Sequence, residues 1–191
     1  MKYCFFALLI CVVSLSYSQN NPNFHRQGFL FGTALGVSHS IQTFPSNKQN
    51  NTGIALDFKV GYMVKSNLAL LLTSNVSSYD YSGVGRNRKR DFGIVAPTIQ
   101  YWLNDRFWIL GGVGLGVDAP IFWDIEKPEI NKGETQYHTG LGAVTALGFE
   151  IYRKKNFVLD IKTRLTYRNI KLQEGRSYGF SPAFLLGVNL Y

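Results

Sequence analysis

The sequence predicts an all-β fold, a transmembrane antiparallel up-and-down β-barrel of eight strands. Three observations predict it. Eight segments read with a period of two, apolar residues on one face and small or polar residues on the other. Short and long connections alternate between them. Beyond the N-terminus, no stretch is long and apolar enough for a membrane helix. A chain of this kind spans a bilayer only as a closed barrel, because an open sheet edge has no hydrogen-bond partners in lipid.

Residues 1–18 read as an export signal to be cleaved. Lys2 supplies the positive start, residues 3–15 the apolar core, and Ser16 and Ser18 the small residues of the cleavage site. Residues 19–27 then form a short periplasmic tail, and residues 28–191 the barrel. Both cysteines, Cys4 and Cys11, fall in the signal, so the mature barrel has no disulfide and no Cys-based metal site. The formal charge of +8 becomes +7 when Lys2 is lost. That excess suits an anionic surface such as lipopolysaccharide, and export excludes nucleic acid as the partner.

The first strand is expected over 28–40, with Phe29, Phe31, Leu35 and Val37 facing out. The second covers 53–63, with Ile54, Leu56, Phe58 and Val60 toward lipid and Asp57 and Lys59 toward the lumen. Segments 68–77, 92–103 and 107–117 continue the pattern. In the last of these, Gly112, Gly114 and Gly116 fit a narrow interior. Segment 139–152 places Glu150 inside, and 157–167 places Asp160, Lys162 and Arg164 inside. Segment 180–191 closes the barrel, with Tyr191 on the face opposite Leu186, Val188 and Leu190. The turns 64–67, 104–106 and 153–156 are short and belong to the periplasm. The stretches 41–52, 78–91, 118–138 and 168–179 are expected as long outer loops. Aromatics near the strand ends form interfacial girdles: Tyr62, Tyr101, Trp102, Phe107, Trp108, Phe149, Tyr152 and Phe157 at one end, and Tyr79, Tyr81, Phe92, Tyr137, Tyr167 and Phe180 at the other.

Over residues 28–191 the chain resembles the OmpA/OmpX-type eight-stranded outer-membrane barrels, the outer membrane protein β-barrel domain family. The resemblance rests on strand count, loop asymmetry, the export signal and the terminal aromatic Tyr191. It implies a barrel in the cell outer membrane, inserted by the barrel-assembly machinery and surrounded by lipid and lipopolysaccharide. It also allows an outer-membrane protein partner, and it carries no catalytic or cofactor motif.

Six charges, Asp57, Lys59, Glu150, Asp160, Lys162 and Arg164, are therefore expected to form a lumen network, since buried charges are costly unless paired. Pairing across the 153–156 turn sets Glu150 beside Val158 or Asp160, so Lys162 or Lys59 should stand between the carboxylates. An eight-stranded interior is narrow, which favours packing over conduction. A small pore for ions or solutes is the alternative. Outside, Arg86, Arg88, Lys89 and Arg90 offer contacts to lipopolysaccharide phosphates. Phe122 and Trp123 offer a docking point for a partner. A lipid-modifying enzyme would need a Ser and a His together near the rim, where Ser38, His39, Ser40, Asp80 and His138 lie without catalytic spacing. No His or carboxylate cluster has metal-ligand spacing, and no cofactor is expected.

Overall fold

The structure, a computed structural model, describes residues 25–82, 88–121, 137–172 and 175–191. Period-two alternation makes eight strands: β1 (Gly28–Thr43), β2 (Lys48–Lys65), β3 (Leu68–Tyr81), β4 (Arg88–Trp102), β5 (Phe107–Pro120), β6 (His138–Lys154), β7 (Phe157–Leu172) and β8 (Gly175–Leu190). Each pairs antiparallel with its neighbour in sequence, and β8 pairs with β1 to close the barrel. Residues 1–24, where the export signal and most of the periplasmic tail are expected, lie outside the described residues.

One face of every strand is apolar and exposed. Ile54, Phe58 and Val60 stand out from β2, with Leu56 beside them on the same face. On β4 the same face carries Val95, Ile99 and Tyr101. This continuous belt suits hydrocarbon rather than water. The other face points inward and mixes small, apolar and charged side chains.

The strands are longer than their apolar periods suggest. They run 14 to 18 residues, where roughly 9–11 cross a bilayer. The stretches 41–52, 78–91 and 168–179 are therefore mostly strand, not long loops: β1 joins β2 through 44–47 alone. Only the β5–β6 connection stays long. The polar stretch above the belt has no apolar contrast between its faces, so its alternation carries no hydrophobic signal. The three other turns are short. At one of them Lys155 takes a φ of 51°, the left-handed conformation that a two-residue hairpin needs. The barrel thus has a turn end, near 66–67, 103–106 and 155–156, and a loop end opposite.

Parity also corrects the girdles. Trp102 and Trp108 point inward at the turn end, and Tyr79 and Phe92 point inward at the loop end. Each sits an even number of residues from lumen-facing neighbours on its strand. The Trp108 indole lies directly over Gly148, where any Cβ would collide with the ring. At the loop end Phe44, from the β1–β2 tip, folds in onto Tyr79, Phe92 and Tyr81, its ring centroid 5.4 Å from that of Tyr81.

Candidate functional site

The lumen is filled by three layers of charge. At the turn end, the fully buried Glu150 accepts from Arg26 Nη2 at 2.8 Å, Arg153 Nε at 2.6 Å and Trp102 Nε1 at 2.6 Å. Tyr191 Oη donates to it at 3.5 Å. Arg26 comes from the segment before β1. It stacks over the Trp102 ring at 4.8 Å and donates to the Asp105 carbonyl. Arg153 reaches Glu150 because of a bulge between Glu150 and Tyr152 on β6. Residues three apart on a regular strand face opposite ways, and the extra residue brings them to the same side. Burial first, then the Glu150 carboxylate, push the Tyr191 hydroxyl well above the usual tyrosine range, which keeps it a donor.

In the middle layer Asp57 on β2 faces β7 across the lumen. It pairs with Lys162 Nζ at 2.7 Å and with Arg164 Nη1. Arg164 also donates to Ser77 Oγ at 2.6 Å. Lys59 donates to Gln100 Oε1 at 3.0 Å and lies over the Trp108 ring at 4.8 Å. Asp160 accepts from Asn189 Nδ2 at 2.8 Å. The void left among Asp57, Lys59, Asn75, Trp108, Lys162 and Arg164 is about 10 Å³, room for about one water molecule.

At the loop end, Asp118 is fully buried and accepts from Arg90 Nε, Arg168 Nη2 at 2.8 Å and Tyr79 Oη at 2.5 Å. The Arg168 guanidinium also bonds Gln42 Oε1 at 2.8 Å and lies 4.2 Å from the Phe92 ring centroid.

All six charges expected inside are inside and buried, but their pairing differs from the expectation. Glu150 and Asp160 do stand opposite each other on the ladder. Lys59 lies within electrostatic reach of both carboxylates, but the direct contacts differ from the expectation: Lys162 pairs with Asp57, Lys59 donates to Gln100, and Glu150 is held by two arginines. The expected basic surface run is also divided. Arg90 lies on a strand with its side chain turned inward to Asp118, so it is not a surface phosphate contact. Lys89, the next residue, is exposed and pairs with Asp80 at 2.9 Å. Arg86, the side chain of Arg88, and the Phe122–Trp123 pair lie outside the described residues.

Neither a protein-family model nor a curated protein matches the chain. Solved structures do. Ail, the attachment invasion locus protein of Yersinia pestis, solved in complex with the heparin analogue sucrose octasulfate, matches with a TM-score of 0.55 at 14% identity. The match covers 85% of this chain and 99% of that one. Neisserial surface protein A matches with a TM-score of 0.55 at 14% identity, over 86% of this chain and 99% of its own. This is the fold of the eight-stranded outer-membrane barrels. At such identities the likeness is one of fold alone.

An outer-membrane-type barrel presents function at its rims or through its lumen. Ser38 and Ser40 point into the barrel, and Ser40 shares a hydrogen bond of 3.0 Å with Ser181. His39 points out of it and bonds Thr52 at 3.1 Å. Ser38 and Ser40 thus face away from His39, on the opposite side of β1. Among the described residues, no three His, Cys, Asp or Glu side chains gather as a metal ion would require. The residues that sequence reasoning missed are Arg26, Arg153, Asp118, Arg168 and Tyr79. Arg168 had a signal: it continues the inward series Asp160, Lys162, Arg164 and Thr166.

Proposed function

We propose that this protein is exported, loses residues 1–18, and stands in the outer membrane as a sealed barrel whose work is done at its outer rim. The observation that carries the reading is the lumen. Among the described residues, three layers of buried ion pairs occupy the interior, and the space left among the middle charges is about 10 Å³, room for about one water molecule. A structural or interaction role fits this better than a pore for ions or solutes. In this reading the turn end faces the periplasm and the loop end faces outward. Insertion relies on the barrel-assembly machinery, and a second outer-membrane protein is a candidate partner for Phe122 and Trp123.

The rim chemistry favours anionic saccharides. Lys48, Lys89, Lys171 and Arg176 are exposed near the loop end, and Arg86 and Arg88 lie close by in sequence. Arginine and lysine suit sulfate and phosphate groups. Ail, of the same fold, was solved with a sulfated sugar. The partner class is therefore lipopolysaccharide or a sulfated polysaccharide. Two measurements test this. A cysteine at Asn87 should react with an impermeant thiol reagent on intact cells, and one at Lys154 should not; the reverse pattern overturns the orientation. Sucrose octasulfate should bind the purified barrel in a salt-dependent way and weaken when Arg86, Arg88 and Lys89 become Gln. Binding that ignores those changes overturns the saccharide role.

A further inference from the structure

The middle layer of the lumen holds more positive charge than negative. Lys59, Lys162 and Arg164 face two carboxylates, Asp57 and Asp160, and all five side chains are buried. The layers on either side do not make up the difference, because Glu150 and Asp118 are each held by two arginines of their own. Among the described residues, one positive charge at the centre of the barrel is therefore in excess. A buried charge without a counterion is costly.

Hydrogen bonding shows the same imbalance in the same place. The void of about 10 Å³ is bordered by Asp57, Lys59, Asn75, Trp108, Lys162 and Arg164. Two of these residues carry buried N–H groups with no acceptor among the described residues, Trp108 Nε1 and Arg164 Nε. An indole and a guanidinium can only donate, so no rotation of either side chain removes the need for an acceptor. The indole is also held in place, wedged over Gly148 with the Lys59 ammonium 4.8 Å from its ring. Lys59 gives a proton to Gln100 Oε1 at 3.0 Å and keeps two more. Of the acceptors on these six residues, Asn75 Oδ1 alone lacks a donor, and the spare lysine protons can serve it. The Asp57 oxygens also border the void, but they are engaged by Lys162 Nζ and Arg164 Nη1. A water molecule would accept from the N–H groups and leave the charge in excess. An anion answers both needs.

We infer that this void is a binding site for one monovalent halide ion, held by Trp108 Nε1, Arg164 Nε and the Lys59 ammonium. Room for about one water molecule is too little for a phosphate, a sulfate or a carboxylate. Chloride and bromide are only slightly larger than water, and the flexible lysine stems can give way to them. Fluoride is smaller and holds its water too tightly to be stripped at this cost. The inference concerns the packed interior and holds whatever the rim binds.

The test uses the full barrel in a neutral detergent, unfolded and refolded in urea at fixed sodium concentration while bromide replaces fluoride. In the wild type, each tenfold rise in bromide above its dissociation constant should raise the folding constant about tenfold. Lys59→Gln removes the excess charge and should abolish that dependence. Lys65→Gln makes the same change of charge at an exposed position and should keep it. Crystals of the wild-type barrel refolded in sodium bromide locate the ion directly: one anomalous peak should lie within hydrogen-bond reach of Trp108 Nε1. That peak decides the matter even if Lys59→Gln does not fold. A folding constant that ignores bromide, an equal response in Lys59→Gln, or a peak at the site without anomalous signal overturns the inference.

Discussion

The two ends of the lumen solve one problem with different parts. Each buries a carboxylate completely, Glu150 at the turn end and Asp118 at the loop end. Each surrounds it with two arginines and at least one aromatic donor. The origin of the arginines differs. Arg90 and Arg168 both stand on strands, inside the closed wall. Arg26 precedes β1, and Arg153 sits beside the 155–156 turn and also pairs with the exposed Asp105 at 2.9 Å. The loop-end cluster is a fixture of the wall. The turn-end cluster is a clasp that gathers the segment before β1, the last residue Tyr191 and the β6–β7 hairpin around one carboxylate. Two clusters of similar composition should therefore differ in what they cost to break.

The largest effect is expected where the survivors cannot reach water. Asp118→Leu strands Arg90 and Arg168 in the interior and should destabilise the barrel by about 3–5 kcal/mol. Glu150→Leu frees Arg26 and Arg153, which stand near the open turn end and can swing outward, so its cost should be about 1–3 kcal/mol. Urea unfolding in detergent, followed by heat-modifiable migration, measures both. Equal losses would erase the distinction between fixture and clasp.

Much of this was legible in the sequence, and the reason lies in particular residues. Period two assigned Asp57, Lys59, Glu150, Asp160, Lys162 and Arg164 to the inside, because apolar partners such as Phe58 and Ile161 mark the other face. The signal fades where both faces are polar. Around Gln42 and Gln49 the strands run on above the belt without hydrophobic contrast, so the alternation could not be seen. Asp118 continues the inward series Gly112, Gly114 and Gly116, but glycines leave no pattern to extend with conviction. Arg153 was hidden by the bulge that reverses parity after Glu150. Arg26 was illegible on principle, since it precedes the first strand and its partner lies 124 residues away.

The middle layer sharpens the comparison, because there Asp57 is held directly by Lys162 and Arg164. Lys162→Met removes one of the two cations on Asp57 and should cost about 1–3 kcal/mol, with Arg164 limiting the loss. Adding Asp57→Asn should recover part of it, and adding Glu150→Gln should not, because Glu150 belongs to the clasp. The same unfolding assay reads the double-mutant coupling; coupling to Glu150 instead would join two layers that the geometry separates.

The smallest effect belongs to the surface. Lys89 and Asp80 form an exposed pair at 2.9 Å, and such pairs contribute about 0–1 kcal/mol. Lys89→Gln should leave the urea midpoint nearly unchanged in high salt while weakening the binding of sucrose octasulfate. A stability loss as large as that of Lys162→Met would show that the rim, and not the lumen, holds the barrel together.

The central claim is that the charged interior is packed shut. Single-channel recording on the purified barrel in a planar bilayer tests it most directly. The wild-type protein should give no stable current steps, and Lys162→Met should give none either, since its neighbours still fill the lumen. Stable wild-type steps that rise with salt concentration and change size when Lys59 or Lys162 is replaced would mean that ions pass through the three layers, and the sealed-barrel account would be wrong.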